Sequence, residues 1–203
     1  MKFLTHFVIL FTFTSLVKAQ DRSIIGDYWL GVNNSYATFE GGTMNTFGIE
    51  GNLAVHQNIS IGLGMEFGNA DYDNGLEADG LGGTFLLLVH NKFESTSDIS
   101  VDPYVSLSSG FTSLEVNQLN LKINTIPIEL EVGSEFIFSD FFALTPYFSI
   151  IGYIYEDGAD LDTEFQYGLN GDFLISDHFS IGLGLLGNSE STFIFNIRSR
   201  VHF

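Results

Sequence analysis

The sequence predicts an all-β fold: a closed, antiparallel, up-and-down transmembrane β-barrel of about ten strands, with eight as the alternative count. Three observations carry this. Apolar residues alternate with small or polar ones at a period of two over most of the chain, which is the strand signature. Charged residues keep to one of the two resulting faces. Hydrophobic residues make up 45% of the chain, yet no stretch after residue 20 has the length of a membrane helix without charges or glycine. In lipid every backbone polar group must be satisfied internally, which leaves helices or closed barrels.

The first residues read as a targeting segment. Lys2 is followed by a mostly apolar run from Phe3 to Val17, and Val17-Lys18-Ala19 places small enough residues for cleavage after Ala19. Residues 1–19 are therefore expected to be a secretory signal peptide. The run is too short for a membrane anchor, which needs about 20 residues. Residues 20–203 then form one domain.

Composition narrows the class. The chain has no cysteine, so neither a disulfide nor a thiolate site is available. Its net charge is −18; without Lys2 and Lys18, five basic residues face 25 acidic ones, giving −20. Nucleic acid is an improbable partner for such a chain, because phosphate binding needs a basic footprint.

Turn-forming breaks divide the domain into ten strands, roughly 27–38, 44–55, 59–69, 80–91, 99–111, 123–138, 141–155, 163–175, 179–187 and 192–203. The pentapeptide Ser60-Ile61-Gly62-Leu63-Gly64 recurs as Ser180-Ile181-Gly182-Leu183-Gly184, each time after a tight polar break. The repeat suggests one strand-turn-strand unit used twice. Connections at 56–58, 139–140 and 176–178 are very short and that at 92–98 is modest. Those at 39–43, 70–79, 112–122, 156–162 and 188–191 are mostly longer and acidic or rich in Asn and Gly. Short turns on one side and longer loops on the other are the layout of bacterial outer-membrane barrels. Pro127 and Pro146 fall where ladder donors are wanted and point to strand ends or bulges.

The faces separate cleanly. Phe47, Ile49, Leu53 and Val55 share one face of their strand, as do Ile126, Ile128, Leu130 and Val132, and Phe193, Phe195, Ile197, Val201 and Phe203. The opposite faces hold Glu50, Glu66, Asp102, Glu129, Glu131, Glu135, Glu164, Asp172, Arg198 and Arg200. A soluble sandwich also alternates, but ten strands of large apolar residues would overfill its core. A lipid-facing apolar band around a polar interior fits both parities, since a charge at mid-bilayer costs about 2–4 kcal/mol. Aromatics gather near strand ends: Phe93, Phe141, Phe142, Phe179 and Phe203 by the short turns, and Tyr36, Phe39, Tyr72, Tyr153 and Tyr155 toward the longer loops. Two interfacial girdles are expected from that spacing.

The stretches Gly51 to Gly64 and Gly171 to Gly184, and the terminal strand ending in Phe203, resemble the small outer-membrane β-barrel proteins of the OmpA/OmpX-like superfamily. The familiar members have eight strands, so the count of ten departs from them. The resemblance implies that Phe203, with Val201, is an assembly signal read by the barrel-assembly machinery during insertion. Arg198 stands where that pattern usually has Gly. The resemblance further implies a porin-like protein of the Gram-negative outer membrane, a monomer whose surroundings are membrane lipid and lipopolysaccharide.

Barrels of this kind include enzymes, in which a histidine near the outer rim would serve as general base. His6 belongs to the targeting segment; His56, His90, His178 and His202 all map to the opposite end. No catalytic residue is therefore assigned, and the chain is expected not to be an enzyme. The acidic loops, with Asp71, Asp73, Glu77 and Asp79 in one and Asp157, Asp160 and Asp162 in another, lack the bidentate Glu of a calcium loop, so no metal or cofactor is assigned. The informative polar set is a lumen charge cluster: Glu66, Glu129, Glu131, Glu135 and Asp172 with Arg198 and Arg200, where at least one Arg–Glu pair is expected. It reads as an interior plug in a structural or surface-interaction barrel. The alternative is a narrow cation-preferring channel or small-ligand conduit.

Overall fold

The computed structural model describes residues 28–91, 99–139, 141–156, 162–176, 178–189 and 192–203. The expected signal peptide lies outside these residues, as do Phe93, Asp157 and Asp160. Ten strands follow one another: β1 (Tyr28–Phe39), β2 (Gly42–His56), β3 (Ile59–Tyr72), β4 (Glu77–His90), β5 (Ser100–Val116), β6 (Leu121–Ser139), β7 (Phe142–Tyr155), β8 (Asp162–Ser176), β9 (Phe179–Asn188) and β10 (Phe193–His202). Each pairs antiparallel with its neighbours in sequence, and β1 pairs with β10, so the sheet closes. The fold is the expected up-and-down barrel, with ten strands and not eight. The seam runs from Trp29 opposite His202 to Thr38 opposite Phe193. Just beyond it the Phe203 amide donates to the Tyr28 carbonyl at 2.8 Å. The shortest strands, β9 and β10, have ten residues, enough for the 9–11 that a tilted membrane strand needs.

Alternation decides which way each side chain points. In β1 the residues alternate strictly between exposed and buried along all twelve positions. Across the barrel the exposed set is the apolar one: Leu63 is 69% exposed and Ile175 62%. The charged parity faces inward, where Glu66, Arg198 and Arg200 are at most 2% exposed. This inverted arrangement is that of a membrane barrel, with lipid as the outer solvent.

The strands run further than their hydropathy suggests, which corrects the expected long loops. β1 and β2 are joined by Glu40 and Gly41 alone, with Gly41 at φ 93°, a conformation that suits glycine. β3 and β4 are joined by residues 73–76, and the expected loop at 112–122 shrinks to a short 3-10 turn (Asn117–Leu119) and Asn120. The polar tips remain paired: Asp71 stands opposite Glu77, and Asn69 opposite Asp79. Ladder bonding continues past the apolar band because the backbone pairs whatever its side chains are.

On the opposite rim, the close connections that follow β2, β6 and β8 each come after a register shift, between Ala54 and His56, Ile137 and Ser139, and Leu174 and Ser176. Bulges of this kind collect at barrel rims and tighten the local twist. The repeated pentapeptide occupies equivalent places after two of these turns, with Ser60 and Ser180 inward and Leu63 and Leu183 outward. Pro127 and Pro146 stand beside breaks in ladder pairing: β5–β6 pairing lapses between Ser109 and Thr112, and β6–β7 pairing between Gly133 and Phe136.

A girdle forms at the bulged rim, where Phe142 lies 5.9 Å from Phe138 and 5.0 Å from Phe173 between ring centres. Toward the other rim Tyr36 and Tyr167 face outward. Phe39, Tyr72 and Tyr153, expected in that outer girdle, turn inward instead and are buried.

Candidate functional site

The lumen is the place where the chain concentrates chemistry. It is built from cross-strand rows, because inward residues opposite one another on neighbouring strands lie side by side. One row, near the Glu40 rim, is wholly apolar: Leu186, Ile194, Ala37, Met44, Ala70, Ala78 and Val116, from β9 through β1 to β5. Phe39, Tyr72, Leu114, Ile151 and Tyr153 join it in one buried cluster. This apolar collar was not expected; the interior had read as polar throughout.

The next row toward the bulged rim is uncharged and polar: Asn170, Gly184, Asn196, Ser35 and Thr46. The one after it carries the ion pairs: Asp172, Gly182, Arg198, Asn33, Gly48 and Glu66. Large side chains lie over glycines on the adjacent strand. Tyr104 covers Gly133, and Arg198 and Asp172 meet over Gly182. Alternating large and small residues is how a small barrel fills its interior.

The predicted charge cluster is brought together in part. Arg198 Nη2 donates to Asp172 Oδ2 at 2.9 Å and Arg200 Nη1 to Asp172 Oδ1 at 3.4 Å. Asp172 is thus shared by two arginines of β10. Arg200 also stacks on Trp29, 5.0 Å from the ring centre, a cation–π contact. Glu129, Glu131 and Glu135 lie along β6 on the same inward face. Glu131 accepts from Tyr104 Oη at 2.5 Å and Glu129 from Ser108 Oγ at 3.2 Å. Glu135 stands directly opposite Asp102. Glu66 sits on β3 between Gly48 and Gly82.

The histidines map to the bulged rim, but one of them is not a solvent-exposed group. His90 is 5% exposed, and its Nδ1 lies 2.9 Å from Asp102 Oδ2. His202 Nε2 lies 2.9 Å from Ser180 Oγ. Both partners sit on the neighbouring strand, and that register was not readable from spacing. Phe203 ends the chain 72% exposed, on the lipid parity of β10.

No family profile matches the chain, and no curated protein sequence matches it. Solved structures do. The transport unit of the autotransporter AIDA-I from Escherichia coli superposes over 97% of each chain with 9% identity and a TM-score of 0.56. The COG4313 outer membrane channel from Pseudomonas putida F1 covers 92% of this chain and 97% of its own, with 9% identity and a TM-score of 0.53. The architecture is that of the outer-membrane β-barrels. These likenesses are of fold alone, and they do not single out the OmpA/OmpX-like superfamily. They also correct one expectation. LpxR from Salmonella typhimurium, another structural neighbour, is an outer-membrane enzyme, at 11% identity over 87% of this chain and 90% of that one, with a TM-score of 0.48. The expectation that the chain is not an enzyme is accordingly withdrawn.

Proposed function

We propose that the chain is a Gram-negative outer-membrane barrel with a closed interior, serving a structural or surface-interaction role through the rim that carries Glu40, Asn74 and Asn117. Residues 1–19 direct its export, and Phe203 serves as its assembly signal. Membrane lipid and lipopolysaccharide are its surroundings. One observation carries this reading. In β1 the inward side chains from one end of the barrel to the other, Trp29, Asn33, Ser35, Ala37 and Phe39, are all at most 8% exposed. A water-wide pore leaves its lining side chains wet, and these are not.

The absence of native cysteine makes the test direct. Ser106→Cys and Ser149→Cys place a thiol on buried inward positions. A charged, water-borne thiol reagent should leave both unmodified in the folded barrel and modify both after unfolding. Rapid modification in the folded state would sink the closed reading.

A second reading, a narrow cation-preferring conduit, is favoured by the charge balance. Eight inward carboxylates (Glu50, Glu66, Asp102, Glu129, Glu131, Glu135, Glu164 and Asp172) face two arginines. Cation-selective current would support it, and the same thiols would then react.

A further inference from the structure

The uncharged row between the collar and the ion pairs has a chemistry that packing does not explain. Asn170, Asn196, Ser35, Thr46 and, beside Asn170, Thr145 are each at most 3% exposed. The side-chain oxygen of every one lacks a hydrogen-bond partner within the protein. Buried polar atoms are ordinarily satisfied, and one that is not calls for a water or an ion. Such oxygens also occur elsewhere in the interior, at Asn33 and Thr125, but here five fall in one contiguous row.

Their geometry is convergent. Asn170 Oδ1 comes within 2.5 Å, and Asn196 Oδ1 and Nδ2 each within 2.6 Å, of the point where a Cβ on Gly184 would stand. The glycine thus lets two amides, one from each flanking strand, pack over its backbone. Ser35 and Thr46 continue the row from Asn196 onto β1 and β2. All five groups present oxygen, and none is ionisable. Arg198, two residues from Asn196, is engaged by Asp172. The surrounding lumen carries eight carboxylates against two arginines, an excess that is costly to bury without compensating positive charge.

We propose that this row binds a dehydrated monovalent alkali cation inside the barrel. Neutral oxygen dipoles are the ligands that replace an alkali ion's hydration shell in selectivity filters. Calcium would instead favour carboxylate ligands, which this row does not contain. The site rests on the lumen geometry and holds whether or not the barrel conducts.

The test uses the folded, detergent-solubilised barrel in NaCl, KCl or choline chloride at matched ionic strength, with unfolding followed by the heat-dependent gel shift. The unfolding midpoint should rise saturably with Na⁺ or K⁺ and stay flat with choline, which is too large to enter between the side chains of the row. Asn196→Leu, similar in size but without the oxygen, should weaken the apparent affinity about tenfold, the effect of ~1.4 kcal/mol. Asn170→Asp keeps the shape and adds a negative charge, so it should tighten alkali binding. Equal midpoints in all three salts would overturn the proposal, as would a sodium dependence unchanged in both variants. As a readout independent of stability, the ²³Na resonance should be broadened by the folded wild type and sharpen on unfolding. No change in linewidth would count against bound sodium, and potassium-selective stabilisation would then have to carry the proposal or it fails.

Discussion

Asp172 accepts from Arg198 at 2.9 Å and from Arg200 at 3.4 Å, so a single carboxylate on β8 holds two guanidiniums of β10 across the glycine-bearing strand between them. Gly182 makes this possible. A Cβ there would collide with both Arg198 and Asp172.

Removing the shared partner should therefore be worse than removing either arginine. Asp172→Asn is expected to destabilise by about 3–5 kcal/mol, because it removes the buried carboxylate that both arginines share. Arg198→Met should cost less, since Arg200 still neutralises Asp172. The combination Asp172→Leu with Arg198→Met should recover part of the loss. Urea unfolding of the reconstituted barrel measures all three. Equal, sub-kcal/mol losses would mean that the pair is hydrated.

The two sides of β3 should respond differently. Leu63→Arg places a charge on the lipid face and should cost about 2–4 kcal/mol near mid-bilayer. Gly64 faces inward, and the nearest atoms to an added Cβ are 3.8 Å away, so Gly64→Ala should be close to neutral. Gly168→Ala, where the added carbon would run into the Tyr147 ring, should be the damaging glycine change. Matching losses at Gly64 and Gly168 in the same unfolding assay would contradict the assigned lumen packing.

Most of the barrel's frame was legible beforehand. Parity alone placed Glu66, Glu129, Arg198 and Leu63 on their observed sides, because one period-two slip would put charge into lipid. The apolar collar was not legible. Phe39, Ala70, Tyr72, Ala78, Leu114 and Val116 lie beyond the strand ends that hydropathy suggested, in segments whose polar neighbours read as loop. Extending the parity of Thr46 upward to Met44, and of Ser149 onward to Ile151 and Tyr153, was the available signal. The His90–Asp102 contact was hidden for another reason. It depends on the pairing of β4 with β5 across a connection whose length leaves the register open.

Orientation follows from the rims. A peptide tag inserted at Asn74 should be detected by antibody on intact cells, and a tag at Gln57, in a bulged turn, only after the outer membrane is opened. Detection of Gln57 alone would invert the barrel.

Phe203 closes the β1–β10 seam through its backbone and leaves its ring on the lipid side. Phe203→Asp should reduce the fraction that reaches the folded, membrane-embedded form, read by the heat-dependent gel shift of membrane extracts. Unchanged insertion would separate the terminal aromatic from assembly.

The closed lumen is the central claim, and single-channel recording in planar bilayers tests it most directly. Purified wild-type barrel, inserted in symmetric potassium chloride, should give no stable conductance steps above the bare membrane. Reproducible steps with cation selectivity would contradict it, because the apolar collar and the ion-paired row would then have to leave a continuous aqueous path.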